Sequence, residues 1–244
     1  EGTMGIILEG TFRVLPYPER ESIHAVGFKD YLTALEALRK IMQSELRPAV
    51  VRLYDEHESR AKIANFPEYA NHPCLCMLTF MGLKDLVEVE ERLALAICKE
   101  LGGVEGNPEP VYKWMERRYE ALSHKPIFER RMMDTVEVSA PWRALPEIYE
   151  GMMEVAHTVD PEGDAGAHWS HMYPDGGCMY MTFKFSAPED SPTAAKHGKI
   201  WEGVMRVCLK AGGSISHHHG IGYFRGKWLV EELNTGHDLL QRLK

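Results

Sequence analysis

The sequence has no Cys-x-x-Cys pair, and its five cysteines, Cys74, Cys76, Cys98, Cys178 and Cys208, are odd in number. This excludes a disulfide framework as the organising device, argues against a zinc site, and matches cysteine usage in a reducing cytoplasm. Cys74 and Cys76 fall on one face of a strand, where buried apolar thiols are the simplest reading. No apolar run approaches the roughly 20 residues of a membrane-spanning helix, and no signal peptide is visible. The expected location is the cytoplasm, with peripheral attachment to a membrane left open. Basic residues are not in excess: 28 Lys and Arg against 36 Asp and Glu give a net charge of -8. This excludes a general nucleic-acid binder but leaves room for a single arginine to hold a small anion. The chain also lacks an initiator methionine, opening Glu1-Gly2-Thr3-Met4-Gly5, and so reads as a piece of something longer.

What is present is an ordinary globular composition, 44% apolar and 26% charged. Residues 6–15 read as a strand closed by Pro16 and Pro18, and Ile23 to Phe28 as a second. The spacing of Tyr31, Leu32, Leu35, Leu38, Ile41 and Met42 predicts a helix over 30–44. Strands follow at 49–54 and 74–81, then a helix over 83–101 stopped by Gly102-Gly103. Residues 104–131 show no clear pattern. The order then recurs: a strand at 134–139, a helix over 143–157, strands at 166–172 and 178–185 joined by the turn Tyr173-Pro174-Asp175-Gly176-Gly177, and a helix over 193–211 stopped by Gly212-Gly213. Strand–helix–strand–strand–helix thus occurs twice, and each copy is most of a ferredoxin-like unit. The expected class is α+β: duplicated ferredoxin-like units sharing one antiparallel sheet, helices on one face, the other face free to cover a partner domain.

The most unusual segment is Ser214-Ile215-Ser216-His217-His218-His219-Gly220-Ile221-Gly222. Three adjacent histidines are costly to bury without partners, and histidine is the side chain best suited to move protons near neutral pH. Read as an extended stretch, the run turns His217 and His219 one way and His218 the other. Structural, metal-binding and proton-handling or cofactor-contact roles are all open. No carboxylate or cysteine lies close to it in sequence, so no metal is expected. Tyr180, in a strand, is either a packing residue or an acid–base group. Arg52, flanked by apolar neighbours, either pairs with an acid such as Asp55 or holds a phosphate or carboxylate. His168 and His171 are three apart and fall on opposite faces of a regular strand. Arg130-Arg131 is a solvated pair or a second anion contact.

These residues also form a recognisable pattern. Glu1-Gly2-Thr3-Met4-Gly5-Ile6-Ile7 resembles the last flavin-contacting segment of the vanillyl-alcohol-oxidase type of FAD domain. Ala49–Asp55, Glu137–Trp142, His168–His171 and Ser214–Gly222 resemble blocks of the linked cap domain. Most of these blocks are shared with glycolate and D-lactate dehydrogenases, whereas the triple histidine is similar to alkylglycerone-phosphate synthases. The resemblance implies FAD in the full-length protein, with Glu1, Gly2, Thr3, Gly5 and Ile7 as cofactor contacts. It implies the end of an FAD domain over 1–20, a substrate cap over 21–226, and a helical segment over 227–244 returning toward the FAD domain. The partner is then the missing amino-terminal FAD domain, together with a small-molecule substrate, a phosphate ester or a 2-hydroxy acid; a homodimer is compatible. In the synthases, a fatty alcohol replaces the acyl group of acyl-dihydroxyacetone phosphate through an adduct at flavin N5. By motif position Tyr180 would transfer the proton linked to departure of the acid. His217, His218 and His219 would move protons at the substrate carbon, and Arg52 would hold the phosphate or support the histidines. The alternatives are an FAD-dependent 2-hydroxy acid dehydrogenase and a noncatalytic ferredoxin-like module. This piece alone is expected to hold little flavin and not to catalyse.

Overall fold

The computed structural model describes residues 5–119, 131–186 and 190–243. The first regular element is not at residues 6–15. Among the described residues that segment has no partner strand, and Ile6, Ile7, Leu8, Phe12, Val14 and Leu15 are largely solvent-exposed along it. β-propensity alone cannot hold a strand whose backbone groups find no ladder.

The fold begins with β1 (Arg20–Phe28), α1 (Tyr31–Gln43), β2 (Val50–Tyr54), α2 (Glu56–Ile63), β3 (Cys74–Gly82), α3 (Lys84–Glu100), β4 (Val104–Gly106) and α4 (Glu109–Arg117). It continues with β5 (Arg131–Pro141), α5 (Leu145–Val159), β6 (Asp164–Met172), β7 (Gly176–Ser186), α6 (Asp190–Lys210), α7 (Gly222–Leu233) and α8 (Thr235–Leu243). The helical carboxy-terminal part therefore starts at Gly222, ahead of 227. The seven strands form one sheet in the order β4-β1-β3-β2-β6-β7-β5, each described pairing antiparallel.

The order β4-β1-β3-β2 is that of a complete ferredoxin-like unit, and β6-β7-β5 is the same arrangement lacking its outer strand. The missing place is held by Ser214, which exchanges backbone hydrogen bonds with Ser139 of β5 at 2.7 and 3.0 Å. The parallel between the halves extends to the preceding helix ends. Gly102 after α3 and Gly212 after α6 both adopt left-handed φ, +78° and +76°, a conformation that favours glycine and turns the chain back to the sheet edge. In the first half this return makes β4; in the second it makes a single bridge and then the histidine run.

Alternation along the strands sorts the side chains. Val51 and Leu53, Val136 and Val138, Trp169, and Met179 to Phe185 at every second residue pack against α1, α3, α5 and α6 in one core. On the opposite face α2 and α4 lie mainly over the first half, with Ile63 and Val111 over Ala25, Tyr54, Leu75 and Met77, and α2 reaches β6, where Glu58 meets His168 and His57 meets Asp164. The sheet is thus covered by four long helices on one side and two short ones on part of the other. The rest of that other face stays open. Residues 104–117, unpatterned in sequence, supply β4 and α4.

Asp55 stitches the two halves where β2 meets β6. It is 2% exposed. Its carboxylate caps α2 by accepting from Glu58 N at 2.7 Å, and it accepts from Ala167 N of β6 at 2.7 Å and from the Tyr149 hydroxyl of α5 at 3.1 Å. Removing it orphans a helix cap and a buried strand amide together. Asp55→Ala is expected to cost about 2–4 kcal/mol of stability, read as a lowered urea midpoint; a midpoint within 0.5 kcal/mol equivalent of the parent, roughly the scale of a surface substitution, would contradict this role.

Candidate active site

A row of four residues in register runs from the covered half of this face onto the open half: Tyr54 on β2 opposite His168 on β6, His168 opposite Tyr180 on β7, and Tyr180 opposite Glu137 on β5. The His168 and Tyr180 rings stack at 4.8 Å, and the Tyr180 hydroxyl donates to Thr135 Oγ1 at 3.0 Å. His168 Nδ1 lies 2.9 Å from Glu58 Oε2. Glu58 is on α2, the short helix that closes this end of the face.

Glu137 is fully buried, on the edge strand beside the histidine run. Its carboxylate accepts backbone N–H groups from His217 at 2.9 Å, His218 at 3.1 Å and His219 at 2.9 Å. It also pairs with His218 Nδ1 and lies 3.5 Å from Cys178 Sγ. Burial alone would raise the carboxyl pKa; the amides of His219, His217 and His218 outweigh that and hold it down at about 2. Three successive amides converging on one carboxylate make the run a bend rather than an extended stretch. The expected alternation of His217 and His219 against His218 therefore does not occur, and the rings form a chain of contacts instead. His219 meets Tyr180 edge-on at 5.0 Å, His218 lies 4.7 Å from His219, and His217 lies 5.3 Å from His218.

The ends of the run are tied separately. Before it, Glu232 of α7 accepts Ser214 Oγ at 2.6 Å and Ile215 N at 3.1 Å. After it, Gly220 takes φ +75°, and its carbonyl accepts from Arg225 Nη1 at 3.2 Å. The positive φ lets the chain leave the bend and enter α7.

His171 joins this cluster, contrary to its expected place on the far face from His168. A β-bulge lies between Trp169 and His171, so that Trp169 opposes Met179 and His171 opposes Cys178. The extra residue returns His171 to the open face, 4.4 Å from the His218 ring and 5.2 Å from His217. Tyr173 hydroxyl and His217 Nε2 are 2.9 Å apart.

Arg52 points onto the same face from β2. Its Nε donates to the Tyr54 hydroxyl at 2.8 Å, and its guanidinium lies 5.0 Å from the Trp114 ring. The alternative partner Asp55 is committed elsewhere, and among the described residues Arg52 forms no ion pair. Arg130 lies outside the described residues, as do Glu1, Gly2 and Thr3; the side chain of Arg131 does too. Gly5 and Ile7 are exposed.

Burial lowers the pKa of His168, His171 and His219, with neighbouring histidines or cations adding to the effect and Glu58 or Glu137 opposing it. Each is set to be a neutral base near pH 7. His171, Cys178, His217 and His218 also bring potential ligand atoms within 4.8 Å of one another, as do Glu137, His218 and His219. The fold thus supplies the cysteine and carboxylate that the local sequence lacks. However, burial and the adjacent Glu137 push the Cys178 thiol well up, which opposes the thiolate form a metal needs. Glu58, Glu137 and His171 escaped notice as site residues in the sequence. Glu137 and His171 lie at the ends of two blocks of the resemblance, and Glu137 also shows as an acid between two valines in Val136-Glu137-Val138, a polar residue on an alternating strand.

Residues 17–244 match the family described as FAD linked oxidases, C-terminal domain. Among curated proteins, the chain is similar to alkyldihydroxyacetonephosphate synthase of Dictyostelium discoideum, 26% identical over 264 residues covering 97% of this chain and 43% of the relative. It is similar also to glycolate oxidase subunit GlcD of Escherichia coli, 25% identical over 245 residues covering 96% and 47%. A solved structure of alkyldihydroxyacetonephosphate synthase shares the fold with a TM-score of 0.75 at 20% identity, covering 100% of this chain and 46% of its own. The chain spans about half the length of the curated relatives it matches. The part-exposed imidazoles and hydroxyl on the open face fit the substrate side of the flavin that the family implies.

Glu137 gives a pH signature. Its pKa falls from an ordinary 4.5 to about 2 on folding, so its contribution is complete above pH 4.5 and is lost as pH falls through 2. Glu137→Gln is expected to remove about 3 kcal/mol at neutral pH, with the difference between parent and variant shrinking below pH 4.5 in urea unfolding. A constant difference from pH 7 to 3 would contradict it.

Proposed function

Since this chain belongs to the family of FAD linked oxidase C-terminal domains, we propose that it is the substrate-covering cap of a full-length FAD enzyme that exchanges the acyl group of an acyl-dihydroxyacetone phosphate for a fatty alcohol. The observation that carries this reading is the convergence of Tyr180, the three histidines and Arg52 on one open sheet face. FAD, held mainly by the preceding domain, would supply an electrophilic ring beside the substrate carbon. Residues 1–20 would belong to that domain and 21–226 to the cap. Glu1, Gly2, Thr3, Gly5 and Ile7 would line the cofactor where the tail enters it. The exposed apolar residues of α7 and α8, including Phe224, Val230, Leu239 and Leu243, would offer it a packing surface. A second copy of the chain is the other occupant. No helix among the described residues is long and apolar enough to cross a membrane.

The roles follow from position and charge. His219 and His171 have lowered proton affinity and would take a proton from the substrate carbon. His218, tied to Glu137, would orient the cluster and stabilise an imidazolium next to it. Tyr180, with its hydroxyl steered by Thr135, would pass a proton to the departing carboxylate. Arg52, with Nε fixed by Tyr54, leaves its terminal nitrogens to grip the phosphate in bidentate fashion. The piece by itself, without the pyrophosphate-holding domain, would not turn over.

A second reading is favoured by the similarity to the glycolate oxidase subunit. In an FAD-dependent 2-hydroxy acid dehydrogenase, Arg52 would hold the carboxylate and a histidine would accept the hydroxyl proton. A noncatalytic module would have no use for a face so rich in proton carriers.

Flavin absorbance of the full-length protein without oxygen separates the first two. Bleaching by acyl-dihydroxyacetone phosphate with release of the fatty acid is expected. Bleaching only by D-2-hydroxy acids, reversed by an electron acceptor, would establish the dehydrogenase instead. In that protein Tyr180→Phe and His218→Ala are each expected to lower turnover by about 100-fold or more with flavin still bound. Near-normal rates in both would remove these residues from the chemistry.

A further inference from the structure

The Tyr54 ring is 3% exposed, and two cations lie over it. Arg52 reaches it from β2, with its guanidinium 5.3 Å from the ring centroid. Lys62 reaches it from the last turn of α2, with Nζ 4.4 Å from the centroid. Local structure dictates this approach. Asp55 caps α2 immediately after Tyr54, so the helix doubles back over the sheet, and its position 62 comes to rest above the residue that precedes the cap. Both cations are half-buried.

Neither cation is paired directly among the described residues; Glu58 and Asp55 act on Lys62 only from beyond ion-pair distance. Arg52 donates Nε to the Tyr54 hydroxyl, and Lys62 donates to the Glu58 carbonyl at 3.1 Å. Neither forms an ion pair with a carboxylate there. The adjacent acid, Glu58, is engaged with His168 at 2.9 Å. Burial lowers the pKa of Lys62; Arg52 adds to this, and Glu58 and Asp55 oppose it. Two like charges held close on a partly dry surface repel, and an anion lying against both relieves that repulsion.

We propose that Lys62 is a specificity-determining residue, the second cation of the anion-binding end of the site, and that it selects a doubly charged phosphate head over a singly charged carboxylate. A carboxylate is satisfied by the guanidinium fork alone. A phosphomonoester carries close to two negative charges at pH 7 and a third oxygen beyond the fork, and Lys62 supplies a point charge for it. The inference rests on the reading that Arg52 receives the substrate anion. It goes further by assigning the charge preference to a residue on a different element.

The test uses the full-length, flavin-loaded protein titrated with dihydroxyacetone phosphate and separately with glycolate, binding being read by calorimetry. Lys62→Gln is expected to weaken dihydroxyacetone phosphate about 10-fold and glycolate by less than about 3-fold. Lys62→Arg should restore most of the phosphate affinity. Flavin content and the unfolding midpoint should match the parent in both variants. Equal losses for the two anions, or no loss for the phosphate, would overturn the assignment. Arg52→Gln separates the two ideas. If it abolishes binding of both anions while Lys62→Gln changes neither, Arg52 keeps its place and Lys62 loses its own. If the parent binds neither anion, both readings fall.

Discussion

A buried carboxylate surrounded by backbone amides holds the candidate site together. Glu137 sits on a β-strand with no solvent exposure, a position that strongly disfavours a negative charge. The charge is kept because three consecutive histidine amides and one imidazole are directed at it. The dependence runs both ways. Without the acid, three adjacent part-buried donors would lose their acceptor; without the bend, the acid would lack its compensation. Each histidine ring leaves the backbone in the direction this clamp dictates, so the arrangement of His217, His218 and His219 is an outcome of where Glu137 lies.

The duplicated architecture explains why the clamp is there. In the first ferredoxin-like half, the chain leaves α3 through Gly102 and adds β4 to the sheet. In the second half, the chain leaves α6 through Gly212 in the same way but makes only the Ser139–Ser214 bridge. Where further strand would have paired, side chains from β5 and α7 take over: Glu137 holds the middle of the run and Glu232 its start. The histidine run stands where an edge strand would have been. It lies on the face that α2 and α4 leave uncovered, which is also the face that the preceding half of an FAD enzyme would need.

Much of this was legible in the sequence, for local reasons. Helices with buried residues at helical spacing, such as Leu35, Leu38 and Ile41, are set by period, and strands such as Cys74–Gly82 by a short continuous apolar run ended by a glycine. The duplicated order follows from them. The triple histidine and Arg52 stood out because polar residues in such settings need partners, whereas Tyr180 was singled out by the family resemblance. The partners themselves were hidden by sequence distance: Glu137 is about eighty residues from the run it clamps. α2 was missed because Glu56–Ile63 has almost no apolar stripe, although Asp55 is a good cap and in fact serves as one. His171 was misplaced because a bulge cancels the alternation that strand reading relies on. The tail at 6–15 misled in the opposite direction, with strand-like residues but nothing here to pair with.

The most direct test of this account is amide hydrogen exchange across Ser214–Gly220 in the full-length protein. If Glu137 organises the run, the amides of His217, His218 and His219 should exchange as slowly as those of the neighbouring strand β5, although they belong to no helix or strand, and should become fast in Glu137→Gln while β7 stays protected. Fast exchange at all three positions in the parent protein would contradict the account, because the histidines would then be a free loop and their arrangement over Tyr180 would not be held by the carboxylate.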